Sequence, residues 1–261
     1  MQQHAIHRRA PGHEEGEHED CGYGTEMPRT VSDVPDDPAF VFDLDGTLVD
    51  SVYQHVMAWQ RALDEIGVGL AVWRIHRRIG MSGGLLMQAV LREAGRGVPK
   101  DVIDQAKALH GQYYAESLAS IHLLPGTTEL LQALDELQIR WAIATSGQPE
   151  DAQPVLKLLG RDLDSVILID GAQVPYAKPD PHLFLAAMSE LEVNPHDALI
   201  VGDSIWDMLA ARRAGALGIG VLSGGYSQAE LEAAQAFRVY NDPQDLLDHI
   251  DELGVRIPRQ S

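Results

Sequence analysis

The chain has 261 residues, of which 45% are hydrophobic, and it carries a formal net charge of −19. The hydrophobic fraction is typical of a globular protein with a buried core, whereas the negative charge argues against nucleic acid or an anionic membrane as a partner. No apolar run approaches the ~20 residues that span a bilayer, and the N-terminus lacks the apolar segment of a secretory signal. Because Cys21 is the only cysteine, no intrachain disulfide can form, and we expect a cytoplasmic protein.

Residues 1–36 mix histidines with acidic side chains and show little apolar periodicity. A segment of this composition buries too little apolar surface to offset its ordering entropy, so we predict a disordered N-terminal tail. The histidines leave metal binding open as an alternative function of the tail.

The first predicted element is a buried strand over residues 39–42, and Asp43, Asp45 and Gly46 follow it directly. Two carboxylates this close crowd negative charge, which a cation or a phosphoryl group would offset. A simple polar turn explains the same residues, because Asp and Gly are ordinary turn residues. This strand end is therefore a candidate functional site, and a simple polar turn remains the alternative explanation.

The next stretch is predicted to be purely helical. Apolar residues follow helical spacing over residues 52–66, and further helices are predicted over 71–79, 83–95 and 101–120. Asp50 or Ser51 can cap the first of these helices, and Gly67 can end it. No convincing strand is predicted between Ser51 and Leu123.

From Leu123 onward, predicted strands and helices alternate. The strands fall at residues 141–145, 166–169, 198–201, 217–221 and 237–240. Strand–helix alternation predicts an α/β fold with a Rossmann-like parallel sheet and helices on both of its faces. Ligands of such sheets bind beyond the carboxyl ends of the strands, so the residues that follow each strand are the candidate site.

Three further polar segments lie in this half of the chain. Thr145-Ser146-Gly147 follows one predicted strand, and Asp203 and then Asp207 follow another. Lys178 precedes a predicted helix that Asp180 would cap and Pro181 would begin. Each segment has a simpler explanation when it is taken alone: a turn, a surface lysine, or an acid that caps a helix and favours its dipole. Their joint order, and the placement of two of them directly after strands, favour a functional interpretation.

The hydrophobic strand with Asp43-x-Asp45-Gly46-Thr47, followed by these three segments in order, resembles the four motifs of the haloacid dehalogenase (HAD) superfamily of phosphohydrolases. The resemblance covers roughly residues 38–250. It implies a HAD-like catalytic core, assigned to residues 37–51 and 123–254, and an inserted helical C1 cap, assigned to residues 52–122. Such caps are found in the phosphoglycolate phosphatase and β-phosphoglucomutase-like branch.

The chemistry of the residues agrees with the roles that the resemblance implies. A carboxylate can attack phosphorus and form an aspartyl-phosphate, which is the role expected of Asp43. Asp45 is expected to protonate the leaving alcohol and then to deprotonate the attacking water. Mg²⁺ prefers carboxylate and phosphate oxygens, so we predict a metal site formed by Asp203, a carboxylate of Asp43 and the backbone carbonyl of Asp45. Asp207 either binds the metal through water or orients Asp203.

The remaining two motifs are predicted to bind phosphate. The hydroxyl of Thr145 and the amides of Ser146 and Gly147 can hold phosphate oxygens. Lys178 would supply a fixed positive charge where charge spreads in the transition state.

The resemblance also indicates candidate residues in the cap. In related β-phosphoglucomutases a histidine at the spacing of His55 contacts the acid/base aspartate; the alternative is a polar residue of the hinge helix. Arg77 either binds the second polar end of the substrate or faces solvent. The mutases place basic residues where this chain has Ile79 and Gly83, which argues against hexose phosphate mutase activity. Dehalogenases lack the acid that Asp45 provides, which argues against dehalogenation.

The expected function is Mg²⁺-dependent hydrolysis of a small phosphorylated metabolite, of the phosphoglycolate or sugar phosphate type, through an aspartyl-phosphate. Two alternatives remain open. One is a phosphomutase or phosphotransferase of the same superfamily. The other is a phosphoacceptor module without turnover, although receiver modules lack both the second acid and the helical insert of about 70 residues.

Overall fold

The computed structural model describes residues 38–95, 97, 99–161, 164 and 166–255. The tail that we predict at residues 1–36 therefore lies outside the described residues. None of the described helices is both long and apolar enough to cross a bilayer.

Six parallel strands form the main sheet. Numbered along the chain and given in their spatial order, they are β5 (Leu168–Ile169), β4 (Trp141–Ala144), β1 (Ala39–Phe42), β6 (Ala198–Gly202), β7 (Leu217–Val221) and β8 (Arg238–Tyr240). The central strands β1, β6 and β7 are buried along their whole length. Continuous apolar strands of this kind need cover on both faces, which is typical of parallel sheets.

Helices provide that cover. They are α5 (Thr127–Glu136), α6 (Pro149–Leu156), α7 (His182–Glu190), α8 (Ile205–Ala214), α9 (Gln228–Ala233) and α10 (Pro243–Asp248). Side chains alternate along a strand, so Phe40 and Phe42 join the core cluster that includes residues of α5, α6 and α10. Val41 joins the opposite cluster, which includes residues of α7 and α8. The predicted fold class is thus confirmed.

Among the described residues, four helices lie between the first strand and the rest of the sheet, and we call them the helical insert. They are α1 (Val52–Glu65), α2 (Val72–His76), α3 (Gly83–Glu93) and α4 (Lys100–Ser117). The insert has its own apolar core, to which Val56, Leu63, Leu86 and Val90 contribute. The chain enters and leaves it through the antiparallel pair of β2 (Val49–Asp50) and β3 (His122–Leu123).

Most element boundaries agree with the sequence pattern, and the differences have local causes. The strand predicted at 166–169 is reduced to β5 because only Leu168 and Ile169 pair with β4. Helix α7 begins at His182 rather than at Pro181. The amide of Asp180 donates instead to the carbonyl of Ala177 at 3.2 Å, so that Asp180 belongs to a turn rather than capping the helix.

Candidate active site

The sheet order brings the polar segments to one edge. Strand β1 lies between β4 and β6, so Asp43, Thr145 and Asp203 emerge from three adjacent strand ends. The amide of Asp43 donates to the carbonyl of Val201 at 2.8 Å, which extends the β1–β6 ladder to the first aspartate. Lys178, from the loop before α7, completes this group, and all four side chains are buried.

Three aspartates form a carboxylate cluster that consists of Asp43, Asp203 and Asp207. One carboxylate oxygen from each lies within 4.8 Å of the others, and all three residues are buried. Burial raises the pKa of Asp43 to about 7, with Asp207 and Asp45 adding to the rise and Lys178 opposing it. Burial and the neighbouring carboxylates also raise the pKa of Asp203 well above its usual value. The site therefore concentrates negative charge in a place with little solvent.

Lys178 is the cation within this cluster. Its side chain has no solvent exposure, and its ammonium group forms ion pairs with Asp43 and, at 2.9 Å, with Asp207. Burial lowers the pKa of Lys178, but the carboxylates of Asp207 and Asp43 outweigh burial and raise it. The lysine is therefore charged, and it is held beside Asp43 rather than on the surface.

Asp207 is oriented by the start of helix α8. Its second carboxylate oxygen accepts from the amide of Ser204 at 3.1 Å and from the hydroxyl of Ser204 at 2.5 Å. These bonds belong to a capping box that begins α8. A Cβ at Gly202 would lie 2.3 Å from the Cβ of Asp207, so only glycine fits there. Asp207 thus contacts Lys178 with one oxygen and the helix cap with the other.

The segment that we predict to bind phosphate has internal hydrogen bonds. The amide of Gly147 donates to the hydroxyl oxygen of Thr145 at 3.0 Å. The hydroxyl of Ser146 donates to the carbonyl of Gly80 at 3.0 Å, which links the core to the helical insert. A phosphate group that takes the Gly147 amide must displace the Thr145 contact.

Asp45 lies at the boundary between the core and the insert. One of its carboxylate oxygens accepts from the hydroxyl of Ser51 at 2.5 Å and lies 3.1 Å from Nε2 of His55. Burial raises the pKa of Asp45, but the interaction with His55 and the hydrogen bonds from His55 and Ser51 outweigh burial and hold that pKa at about 2. The expected contact between His55 and Asp45 is thus present in the geometry.

Ser51 has a different role from the predicted one. It occupies the N-cap position of α1, yet its side chain makes no capping bond. Its hydroxyl is used by Asp45 instead. A capping serine and an acid-binding serine look alike in sequence, so the pattern had no signal for this contact.

His110, on α4, is a site residue that the sequence pattern did not identify. Its Nε2 lies 3.0 Å from Nδ1 of His55, and both rings are buried. The available signal was its spacing: Ala106, His110 and Tyr114 repeat every four residues and form the buried stripe of α4. A histidine inside an apolar stripe needs a polar partner.

A cavity of about 90 Å³ lies between the core and the insert. Asp43, Asp45 and Thr145 line it from the core. The residues that line it from the insert are His55, Trp59, Ile79, Gly80, Met81, Gly83, Leu86, Lys107 and His110.

Arg77 does not line this cavity. Its guanidinium group pairs with Glu230 and lies 4.0 Å from the ring centre of Tyr226. Its carbonyl accepts from the indole of Trp206 at 3.2 Å and from the hydroxyl of Tyr226 at 3.0 Å. The geometry places Arg77 at the contact between the insert and the core.

The carboxylate cluster suits a hard divalent cation. Its three carboxylates face one ammonium group, that of Lys178, and buried excess charge needs a counter-ion. Oxygen donors of this kind are what Mg²⁺ takes in proteins, usually through one or two carboxylates. The donor set therefore fits a magnesium ion.

Comparison with known proteins agrees with this geometry. The family model described as haloacid dehalogenase-like hydrolase matches residues 38–215. The chain therefore belongs to the haloacid dehalogenase-like hydrolase family, as its motifs indicated.

Individual relatives refine the comparison. The chain is 31% identical to phosphoglycolate phosphatase 1 of Pseudomonas aeruginosa, over 88% of this chain and 82% of that protein. It is 27% identical to β-phosphoglucomutase of Bacillus subtilis, over 71% of this chain and 84% of that protein. The crystal structure of a hydrolase from Pseudomonas syringae superposes with a TM-score of 0.82 at 49% identity, covering 84% of this chain and 100% of that one.

Proposed function

We propose that this chain is a Mg²⁺-dependent phosphomonoester hydrolase that works through an aspartyl-phosphate on Asp43. The observation that carries the proposal is the convergence of Asp43, Lys178 and Asp203, all buried, beside Asp45 and Thr145. One pocket thus combines a nucleophile, a fixed cation, a metal donor set and a second acid. Phosphoryl transfer depends on this combination of positioning and charge neutralisation.

The reaction has two steps. In the first, a carboxylate oxygen of Asp43 attacks phosphorus, the ester P–O bond breaks, and Asp45 gives its proton to the leaving alcohol. In the second, water attacks phosphorus, Asp45 takes the proton of that water, and the acyl–phosphate bond breaks to release inorganic phosphate and free Asp43. The charge of a bound phosphate raises the pKa of a neighbouring carboxyl group, which favours the protonated form of Asp45 for the first step.

The other residues bind and neutralise. Asp43, Asp203 and the backbone carbonyl of Asp45 would hold Mg²⁺, with Asp207 beside them; when bound, the ion neutralises charge on the phosphate oxygens. Thr145, Ser146 and Gly147 would bind phosphate oxygens, and Lys178 stabilises the charge of the transition state. We propose residues 37–51 and 123–254 as the catalytic core. Residues 52–122, which contain the helical insert, are proposed as the cap.

The substrate is proposed to be a small organic phosphate of the phosphoglycolate or sugar phosphate type. Two observations support this size class: the cavity volume of about 90 Å³, and the phosphoglycolate phosphatase named among the relatives. The insert covers the cavity and excludes bulk water during the reaction.

Phosphomutase activity is the second candidate, because β-phosphoglucomutase is also among the relatives. The cavity wall argues against it. Ile79 and Gly83, which replace the basic residues expected in mutases, both line the cavity. Product analysis with a sugar phosphate separates the two functions, since a mutase yields an isomer and little free phosphate.

The test of the proposal is the Asp43→Asn variant. We expect it to abolish hydrolysis of p-nitrophenyl phosphate in Mg²⁺ buffer, because an amide cannot form the acyl-phosphate. Asp64→Asn, which changes an exposed aspartate of α1, is the matched control and should keep parental activity. Activity of Asp43→Asn within about tenfold of the parent would end the nucleophile assignment. A stable phospho-aspartate without phosphate release would favour the phosphoacceptor alternative.

A further inference from the structure

Two histidines from different helices of the insert form a line with Asp45. His55 of α1 directs Nε2 toward the Asp45 carboxylate at 3.1 Å, and its Nδ1 lies 3.0 Å from Nε2 of His110 on α4. Both ring nitrogens of His55 therefore have a partner: Asp45 of the core for Nε2, and His110 of α4 for Nδ1. The contact with Asp45 is one of the two alternatives that the resemblance left open for His55, whereas the contact with His110 was not predicted.

The two contacts together require that Nε2 of His55 faces Asp45 as a donor. Two ring nitrogens at 3.0 Å share a single hydrogen, which either ring can supply. If His110 supplies it, a neutral His55 must carry its own hydrogen on Nε2. If His55 supplies it, a neutral His55 would turn the lone pair of Nε2 toward the Asp45 carboxylate, which is repulsive, so His55 must be doubly protonated and again carries a hydrogen on Nε2. In both cases the N–H group faces the Asp45 oxygen.

Loss of His110 removes the partner of Nδ1. Both forms of His55 that donate from Nε2 to Asp45 then leave Nδ1 buried and unpaired, so they lose stability relative to other tautomers and ring orientations. The ring partner of a histidine commonly sets its tautomer in this way.

The His110 ring is held in place by its neighbours. It stacks on Trp59 with 4.3 Å between ring centres, and His55 stacks on Tyr114 at 3.9 Å. The ring of His110 is therefore also part of the aromatic packing of the insert. Any test must separate this packing from the hydrogen bond.

We propose that His110 is a positioning residue that holds the Nε2–H donor of His55 against Asp45, and so orients the acid/base carboxylate. This inference rests on the proposed function of Asp45. His110 lines the cavity as well, but its role here is exerted through His55.

The kinetic test uses two variants of the same residue. His110→Phe keeps an aromatic ring for stacking and removes the hydrogen bond, whereas the amide of His110→Gln can replace the ring nitrogen. We expect His110→Phe to lower kcat/KM for 2-phosphoglycolate, whose alcohol leaves poorly, by roughly tenfold, within the usual range of acid–base effects. The loss for p-nitrophenyl phosphate should be much smaller, because its leaving group needs little protonation. His110→Gln should recover most of the activity.

His196→Gln is the matched control, since His196 is an exposed residue just before β6, at the opposite edge of the sheet. Equal losses of His110→Phe on both esters would indicate a packing role and overturn the proposal. So would a His110→Gln variant that is no better than His110→Phe.

A spectroscopic test does not depend on turnover. In protein labelled with ¹⁵N-histidine, the parent should show a protonated Nε2 for His55, and His110→Phe should shift that signal toward an unprotonated nitrogen. An unchanged His55 signal would overturn the positioning role even in an active enzyme. A changed signal in a protein that hydrolyses no ester would count against the proposed function while supporting the ring pairing. If His110→Phe does not fold, the same comparison is made with His110→Gln, which should keep the parental signal.

Discussion

The carboxylate of Asp203 is enclosed by backbone that leaves no room for side chains. A Cβ at Gly224 would lie 1.6 Å from one oxygen of Asp203, and a Cβ at Gly46 would lie 2.8 Å from the same atom. Gly46 also has a φ of +78°, a conformation that favours glycine. The glycine of the first motif is thus needed for its backbone conformation and for the approach of Asp203. Gly224 belongs to none of the four motifs, but it too is needed for the close approach of Asp203.

At the residue scale we therefore predict a selective effect of Gly224→Ala. The added methyl group must displace the Asp203 side chain, so turnover of p-nitrophenyl phosphate should fall by roughly tenfold or more. Gly84→Ala is the matched control, because a Cβ at Gly84 meets nothing within 4 Å, and alanine in helix α3 should be neutral or slightly stabilising. Kinetics together with urea unfolding would check both variants. Parental turnover in Gly224→Ala would show that Asp203 tolerates displacement.

At the scale of elements, the site depends on strand order. Strand β1 comes first in the chain, and β4 and β6 pair with it on either side, so segments about 100 and 160 residues after Asp43 are its neighbours. The loop after α2 reaches the same place from the insert. It contributes Ile79, Gly80 and Met81 to the cavity, while Arg77 attaches it to Tyr226 and Glu230 of the core.

Arg77→Met tests this attachment. We expect KM to rise several-fold for every phosphate ester, p-nitrophenyl phosphate included, because the loop that lines the cavity loses its anchor. The free energy of unfolding should change by less than about 1 kcal/mol, since the ion pair is partly exposed. Arg74→Met is the control, because Arg74 pairs with Glu93 within the insert. A rise in KM confined to substrates with a second anionic group would instead indicate direct substrate binding by Arg77.

At the scale of the whole molecule, the net charge of −19 opposes the binding of an anionic substrate. Inside the candidate site, three buried carboxylates meet the ammonium group of Lys178. A divalent cation at this point would reverse the local field, so that substrate binding and metal binding are coupled. The charge that argues against nucleic acid as a partner is therefore compatible with a phosphatase.

Metal binding should accordingly stabilise the fold. We expect EDTA to abolish turnover and Mg²⁺ to restore it, and we expect Mg²⁺ to raise the Tm of the parent by several degrees, because a ligand at 100 times its Kd contributes about 2.7 kcal/mol. Asp203→Asn should have a higher Tm than the parent without metal, because it removes one of the mutually repelling charges, and it should lose most of the response to Mg²⁺. Differential scanning calorimetry at constant ionic strength, adjusted with sodium chloride, measures both effects. Metal-independent hydrolysis, or an equal Tm response in both proteins, would contradict the assigned role of Asp203.

Much of the architecture was readable from local pattern. The apolar run at 39–42, the helical periodicity of 52–120 and the later alternation predicted the sheet and the insert, because buried strands and amphipathic helices have distinct periods. The four motifs also indicated Asp43, Asp45, Lys178 and Asp203 as candidate site residues, because their residue types and order match the resemblance. The start of α7 differs from the prediction by one residue, because Asp180 forms a turn instead of capping the helix.

The sequence by itself therefore determined the elements, the family and the residues that bear charge, because each of these depends on composition and spacing along the chain. Only the tertiary structure decided several partners: that Ser51 contacts Asp45, that His110 contacts His55, that Gly224 makes room for Asp203, and that Arg77 joins the insert to the core. Contacts between helices and loops far apart in sequence follow from packing in three dimensions, and periodicity along the chain carries no record of them.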